Sequence, residues 1–295
     1  MAAPYPEAKG ADMHFLLFSN VHKDPGREVT DRLADMIRKR GSTFTVWREP
    51  DDPGGEVLNR KLLDSADCVI VLGGDGTLLR ASHSAGSANI PMIGVNLGTT
   101  GFLTEVESSA MESMLDRLLA GDYSVEKRML LQGRIIRKNG KKENDFTSLN
   151  DIVVIREGVL RLIAIRIYVN DVFFDTYEAD GIILSTPTGS TGYNLSAGGP
   201  IVSPGARLIV MTPVSPHSLS KKSIVFDAGD RIRITLEEKR KTQTNEAIVS
   251  FDGYMNYEIS VGDEVEICAA EQVLPLIRLE EHSFYEVLGR KLSPR

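Results

Sequence analysis

The chain has 295 residues, of which 42% are hydrophobic and 25% charged, as in globular proteins with one large or two ordinary domains. Its net charge of −7 argues against nucleic acid or an anionic membrane surface as the main partner. Two cysteines give no disulfide framework, the histidines show no metal-ligand spacing, and no apolar run reaches the length of a membrane span. Since the start of the chain lacks a basic and apolar leader, we expect a cytoplasmic protein.

The first 125 residues alternate predicted strands and helices. Apolar or β-rich runs predict strands at 13–18, 43–47, 68–72 and 90–95. Helical spacing predicts a helix at 26–40, and the pair Ser109 and Glu112 predicts a capping box for a second helix that ends at Gly121. Residues 50–55 are predicted to form a loop. Strands that alternate with helices imply a parallel sheet, in which ligands bind beyond the carboxyl ends of the strands.

The third predicted strand ends in a glycine-rich turn at 73–77. Its glycines lack the side chains that would keep a polyphosphate away from the backbone N–H groups: Gly73, Gly74 and Gly76. Asp75 would repel a phosphate. Its place in a phosphate-binding turn is explained if its carboxylate acts on an attacking hydroxyl or on a phosphate-bound Mg²⁺. A strand-to-helix turn with Asp75 as a simple turn former explains the pattern equally well. The turn is neither a P-loop, which needs Gly-Lys-Ser/Thr, nor a dinucleotide fingerprint, which needs a small residue at Leu79.

From about residue 126 onward, almost all predicted elements are strands. They lie at 129–137, 146–156, 161–169, 172–177, 181–185, 207–212, 223–227, 231–237, 247–251 and 264–268. Many short strands separated by Gly, Asn and Asp turns predict a β-sandwich or barrel. The tail at 283–292 fits either a short strand or a helix.

Polar segments in the β-rich half are the next candidates for function. Residues 180–200 are rich in hydroxyl residues and glycine, which suit a ribose, a phosphate or a base edge, and loops of this length are uncommon unless functional. Asn150 and Asp151 lie inside an apolar strand and need partners, which either a ligand or a strand-edge bulge would supply. In the first half, the turn at 96–103 is most simply an ordinary loop whose hydrophobic residues Phe102 and Leu103 pack into the protein.

Together these segments resemble the NAD kinase family, from about residue 13 to residue 292. The matching segments are GGDGTLLR (73–80), GVNLGTTGFLTE (94–105), LNDIVV (149–154), DGIILSTPTGSTGYNLSAGGPIVSP (180–204), PHSLS (216–220) and SFDG (250–253). The GGDGT turn is similar to one in diacylglycerol and sphingosine kinases. The segment 180–200, combined with the Asn-Asp pair, is specific for NAD kinases.

The resemblance implies transfer of a phosphoryl group to the 2′-hydroxyl of the adenosine ribose of NAD, which gives NADP. It implies that Asp75 is the proton acceptor. It also implies a set of nucleotide-binding residues: Gly73, Gly74, Gly76, Arg80, Phe102, Asn150, Asp151, Arg161, Asp180, Thr191, Gly192, Tyr193, Asn194, Leu195 and Ser196. A divalent cation, Mg²⁺, would arrive with the phosphoryl donor, ATP or polyphosphate, and no residue is predicted to be a metal ligand.

We therefore expect a Rossmann-like α/β domain at 1–125, a β-sandwich NAD-binding domain at 126–277, and a tail at 278–295 that packs back on the first domain. The resemblance also implies an active site in the crevice between the domains, and a homodimer or homotetramer. Two alternatives stay open. A diacylglycerol-type lipid kinase is disfavoured by the 180–200 segment, and a non-catalytic NAD(P) sensor is disfavoured by the presence of Asp75.

Overall fold

The computed structural model describes residues 12–48, 60–98, 101–143, 145–158, 162–218, 220–237, 246–279 and 284–293. The loop predicted at 50–55 and the candidate contact Arg161 lie outside these residues. The described residues form two compact units. The first unit contains the residues up to Arg128 and those from Val273 onward, and the second unit contains the residues from Met129 to Gln272.

The first unit is built on a parallel sheet. Its main strands are β1 (His14–Ser19), β2 (Thr43–Arg48), β3 (Cys68–Gly73) and β4 (Met92–Asn96), in the order β4-β3-β1-β2. A short strand, β5 (Val106–Glu107), pairs with β4. Every residue of β3 is buried, as expected for a central strand whose two faces are both covered. The end of β3 at Gly73 therefore fixes where the next residues emerge from the sheet.

Helices accompany this sheet. In chain order they are α1 (Glu28–Lys39), α2 (Arg60–Asp64), α3 (Asp75–Ala88), α4 (Met111–Ala120), α5 (Tyr193–Ser196) and α6 (Phe284–Leu292), and all except α5 belong to the first unit. The predicted capping box is wrong, because a 3₁₀ turn at Ser108–Ala110 runs directly into α4 and no side chain caps that helix. Gly121 ends α4 in the left-handed conformation, as predicted.

The second unit is a β-sandwich. Its strands lie within β6 (Ser124–Ile136), β7 (Phe146–Ser148), β8 (Asp151–Arg156), β9 (Ile163–Val169), β10 (Val172–Ala179), β11 (Gly181–Ser185), β12 (Leu208–Val214), β13 (Ile224–Asp227), β14 (Ile232–Glu237), β15 (Glu246–Phe251), β16 (Met255–Ser260) and β17 (Glu264–Arg278). One antiparallel sheet has the order β13-β12-β11-β8-β15-β16, and the other contains β10-β9-β14-β17. Apolar side chains from both sheets, such as Ile182 and Val249 from one and Ile165 and Ile234 from the other, form one core. The predicted fold class is confirmed.

Local differences from the predicted strands occur where polar residues interrupt the apolar pattern. The strand predicted at 146–156 is divided into β7 and β8 on either side of Leu149 and Asn150. β16 was not among the predicted strands, and the tail forms a helix, α6. The segment 180–200 contains a 3₁₀ turn at Gly189–Thr191 followed by α5, so it is more ordered than a long loop.

Candidate active site

In the first unit, the glycine turn joins the end of β3 to the first residue of α3, Asp75. Gly73 makes room for a protein side chain, since a Cβ at this position would collide with Thr77. The Thr77 hydroxyl is buried and accepts a hydrogen bond from the Asn20 amide (2.9 Å). Gly73 and Thr77 thus hold the turn together. Gly76, in contrast, is exposed, and a Cβ there would meet no atom within 4 Å, so this is the open side of the turn.

The Asp75 carboxylate is held by the backbone of residues 102–104. Its Oδ2 accepts the Phe102 N–H (2.8 Å), and its Oδ1 accepts the N–H groups of Leu103 and Thr104 (both 3.1 Å). A Cβ at Gly101 would overlap this carboxylate, so the absence of a side chain at 101 lets the two segments meet. Asp75 is therefore fixed in position and remains partly exposed.

The segment that holds Asp75 is itself anchored. Glu105 accepts hydrogen bonds from the Arg278 guanidinium (2.9 Å) and from the Leu279 N–H (3.0 Å). The Phe102 ring lies 6.3 Å from the Phe284 ring, centroid to centroid, and the Lys291 ammonium lies 4.6 Å from the Phe102 centroid. Phe102 thus contacts α6 as well as supplying a backbone N–H to Asp75. Another candidate of this unit, Arg80, lies on α3 and is partly buried.

In the second unit, the Asn150–Asp151 pair forms a turn that a distant carboxylate holds. Asp252 accepts the backbone N–H groups of Leu149 (2.7 Å), Asn150 (2.8 Å) and Asp151 (2.9 Å). Asp252 itself has a φ of 52° and is followed by Gly253 with a φ of 71°, in the hairpin turn between β15 and β16. The sequence signal for this turn is the Asp-Gly dipeptide between two β-rich runs.

The start of the 180–200 segment packs on the same turn. The Asn150 carbonyl accepts the Thr186 N–H (2.8 Å), and a Cβ at Gly189 would collide with that carbonyl. A Cβ at Gly192 would lie 3.4 Å from the Asn150 amide nitrogen and 4.0 Å from Asp151 Oδ2. The structure therefore brings together two motifs that are about 40 residues apart in the sequence.

A cavity of about 550 Å³ opens beside these residues. Among the described residues, it is lined by Asn150, Asp151, Val153, Ile155, Tyr193, Ile248, Ser250, Asp252, Gly253 and Asn256. Apolar strand residues together with a few polar groups and an exposed tyrosine are typical of small-molecule sites. The cavity contains the predicted residues Asn150, Asp151 and Tyr193.

Other predicted residues of the second unit have different surroundings. The Asn194 side chain is fully buried, donates to the carbonyls of Ser190 (3.1 Å) and Pro200 (3.0 Å), and accepts from Thr212. It supports the segment from inside and does not line the cavity. Asp180 is paired with Arg156 (2.6 Å). Thr191 donates its hydroxyl to the Thr188 carbonyl, and Leu195 and Ser196 belong to α5.

The Asp151 carboxyl is an unusual group, because it is almost fully buried while no donor among the described residues pairs with it. Burial, and secondarily the charge of Asp252, raises the pKa of Asp151 to about 7. A ligand hydroxyl that donated to this carboxylate would supply the missing partner.

We expect Asp151 to make the folded protein less stable as the pH rises from about 4 to about 8. In this range the unfolded carboxyl is ionised, whereas the folded one keeps its proton up to a pH of about 7, so the folded state binds more protons and loses stability with rising pH. The Asp151→Asn variant removes this effect. Melting temperatures at pH 5 and pH 8 should show that the variant gains stability over the wild type at pH 8. An equal difference at both pH values would contradict this.

Comparisons with known proteins show that the chain is similar to one family along most of its length. Sequence models of two domains match the chain: the ATP-NAD kinase N-terminal domain over residues 14–123 and the ATP-NAD kinase C-terminal domain over residues 149–279. The NAD kinase of Lachnoclostridium phytofermentans is 38% identical over 282 residues, which cover 95% of this chain and 99% of the relative. The NAD kinase of Heliobacterium modesticaldum is 40% identical over 279 residues, which cover 93% and 96%.

Solved structures show the same fold. The crystal structure of yeast NADH kinase complexed with NADH has a TM-score of 0.84, with 24% identity, and the match covers 96% of this chain and 89% of that one. The crystal structure of an NAD kinase from Archaeoglobus fulgidus in complex with ATP has a TM-score of 0.77, also with 24% identity, and the match covers 95% and 100%.

Proposed function

Because this chain belongs to the NAD kinase family, we propose that it transfers a phosphoryl group from ATP or polyphosphate to the 2′-hydroxyl of the adenosine ribose of NAD, giving NADP. The observation that carries the chemistry is the position of Asp75. A carboxylate lies at the carboxyl end of a buried parallel strand, is oriented by backbone N–H groups, and is next to the exposed Gly76.

In the proposed reaction, Asp75 accepts the proton of the 2′-hydroxyl. The ribose oxygen forms a bond to the terminal phosphorus of the donor, and the bond from that phosphorus to its bridging oxygen breaks. ATP then leaves as ADP, or polyphosphate leaves one phosphate shorter. Phosphoryl transfer depends mainly on positioning and on charge stabilisation, so one well-oriented acceptor of the proton suffices.

The cavity beside Asn150 and Asp151 is proposed to bind the dinucleotide. The buried Asp151 carboxylate, which has no donor in the described part of the chain, and the Asn150 amide beside it suit the hydroxyls of a ribose. The exposed Tyr193 ring suits a base. Asp252 is proposed to act through the turn that it holds, since its carboxylate accepts the backbone N–H groups of that turn.

A divalent cation is proposed to enter with the phosphoryl donor. Within the ranges that the structure describes, no group of three or more His, Cys, Asp and Glu side chains is arranged to hold a metal ion. The donor's phosphate oxygens and water are ligands that Mg²⁺ accepts, and the cation would neutralise charge on the transferred group.

The alternatives of a lipid kinase or a non-catalytic sensor have no support in the matching families. None of the helices in the described residues combines the length and the apolar character that a membrane crossing requires. A cytoplasmic location and a homodimer or homotetramer remain our proposals.

The test is an assay of the purified protein with MgCl₂ and each pairing of donor and acceptor. The donors are ATP and polyphosphate, and the acceptors are NAD, NADH and diacylglycerol. We expect NADP, measured with an NADP-dependent dehydrogenase, and we expect EDTA to abolish its formation. Phosphorylated lipid, or the absence of NADP and NADPH with every donor, would contradict the proposed function.

A further inference from the structure

A lysine ammonium occupies the space above the glycine turn of the first unit. A Cβ placed on Gly74 would lie 2.6 Å from Nζ of Lys23, and a Cβ placed on Gly98 would lie 3.4 Å from the same atom. Gly74 follows β3 and Gly98 follows β4, so Lys23 reaches from the end of β1 across the ends of two neighbouring strands. Because Gly74 and Gly98 have no side chains, the space beside both residues is open to the Lys23 ammonium.

The backbone of Lys23 is held from both sides. Asn20 Oδ1 accepts the N–H of Lys23 (3.1 Å), while the Asn20 amide donates to Thr77 in the turn before α3 (2.9 Å). On the other side, the buried Asp24 carboxylate accepts the N–H (2.9 Å) and the hydroxyl (2.6 Å) of Thr30 in α1. These contacts fix where the Lys23 side chain starts, although the side chain itself is exposed.

Among the described residues, the Lys23 ammonium has no anionic partner. In the part of the chain that the structure describes, no carboxylate lies within ion-pair distance of its Nζ, whereas most arginines near it in sequence are paired, such as Arg27 with Asp31 and Arg38 with Asp35. The lysine ammonium is a compact, strongly hydrated charge on a flexible side chain, and it commonly binds phosphate oxygens. Because Lys23 lies beside the turn that carries Asp75, its position indicates that the anion is a phosphate of a substrate bound at that turn.

We propose that Lys23 binds the triphosphate of ATP as the phosphoryl donor, an inference that rests on the proposed function. Asp75 receives the proton of the acceptor hydroxyl, so the transferred phosphoryl group must lie near the same turn. The ammonium then offsets the negative charge of the phosphate chain, and it does so without a further metal ligand from the protein. The pyrophosphate of NAD has the same chemistry, and the experiment separates the two.

The test compares Lys23→Met with Lys39→Met. The control removes the same charge from an exposed position on α1 of the same unit, away from the glycine turn. Calorimetry gives the Kd for ATP with Mg²⁺, and steady-state kinetics give KM for ATP and for NAD. We expect Lys23→Met to raise the Kd and the KM for ATP about 10-fold, to leave KM for NAD and the melting temperature near wild type, and Lys23→Arg to restore much of the ATP affinity.

The outcomes separate the two proposals. Equal ATP affinity in Lys23→Met and Lys39→Met would overturn the role of Lys23, and so would a wild-type protein that does not bind ATP. An increase in KM for NAD alone would overturn the donor assignment and place Lys23 at the NAD pyrophosphate. If the wild-type protein binds ATP but forms no NADP, the proposed function fails, while the ATP affinity of Lys23→Met still decides the role of Lys23.

Discussion

Replacing Asp75 with asparagine is expected to lower kcat for NADP formation by about 10²–10⁴-fold, which is the contribution of a well-positioned acid–base group. The asparagine side chain has nearly the same shape as aspartate, but its amide does not accept a proton at neutral pH. If Asp75 were only a turn former, activity would stay nearly unchanged, because asparagine suits a turn as well as aspartate does.

The hydrogen bonds of Asp75 refine this expectation. An asparagine oxygen can still accept the N–H groups of Leu103 and Thr104, but its NH₂ group would face the N–H of Phe102. We therefore expect a lower melting temperature, from a loss of about 1–3 kcal/mol, together with a folded protein that still binds NAD. The measurements are kcat, NAD affinity by calorimetry, and thermal melting, with Asp35→Asn on the exposed face of α1 as the control. A folded Asp75→Asn protein with kcat within a few-fold of wild type would show that Asp75 is not the base.

Replacing Asp151 with alanine is expected to weaken NAD binding by about 10- to 100-fold while leaving the protein folded. The reason is that a hydrogen bond to a charged group contributes about 1.5–3 kcal/mol, and the Asp151 carboxylate is buried in the cavity with no donor among the described residues. The fold should tolerate the change, because the turn is held through backbone N–H groups by Asp252, and not by the Asp151 side chain.

The matched control is Glu271→Ala, which removes an acidic side chain from an exposed position in the second unit. Calorimetry should give the wild-type Kd for NAD in this control and a weaker Kd in Asp151→Ala. Unchanged NAD affinity in a folded Asp151→Ala protein would remove Asp151 from the binding site. The gain in stability at high pH expected for Asp151→Asn would still apply, since it depends on the burial of Asp151 and on the charge of Asp252, and not on NAD.

The sequence was sufficient to predict where Asp75 lies, because a strand, a glycine turn and a helix are consecutive in the chain. It was not sufficient to predict how the carboxylate is held. The donors come from Phe102, Leu103 and Thr104, about 28 residues later, and nothing local pairs the two turns. The sequence also does not reveal that the missing side chain of Gly73 leaves room for Thr77, and the contact of Gly73 with a nucleotide stays a prediction.

The polar pair at Asn150 and Asp151 illustrates the same limit. A polar pair in an apolar strand predicts either a ligand or a bulge, and the structure shows a break between strands that Asp252 holds from about 100 residues away. Composition predicts a functional role for residues 180–200, and that role stays a prediction. Composition does not distinguish a hydroxyl that lines a cavity from one that holds a loop, and the buried Asn194 belongs to the second kind.

Phosphorus NMR of the reaction mixture can show directly whether NAD is phosphorylated at the 2′-hydroxyl of its adenosine ribose. The two acceptors are NAD and an NAD analogue that lacks this hydroxyl, each with ATP and Mg²⁺. With NAD, we predict a new phosphomonoester signal, an intact pyrophosphate signal and a product that an NADP-dependent dehydrogenase accepts. With the analogue, we predict no phosphomonoester. A phosphomonoester formed on the analogue, or ATP broken down to free phosphate while NAD stays unchanged, would contradict the account.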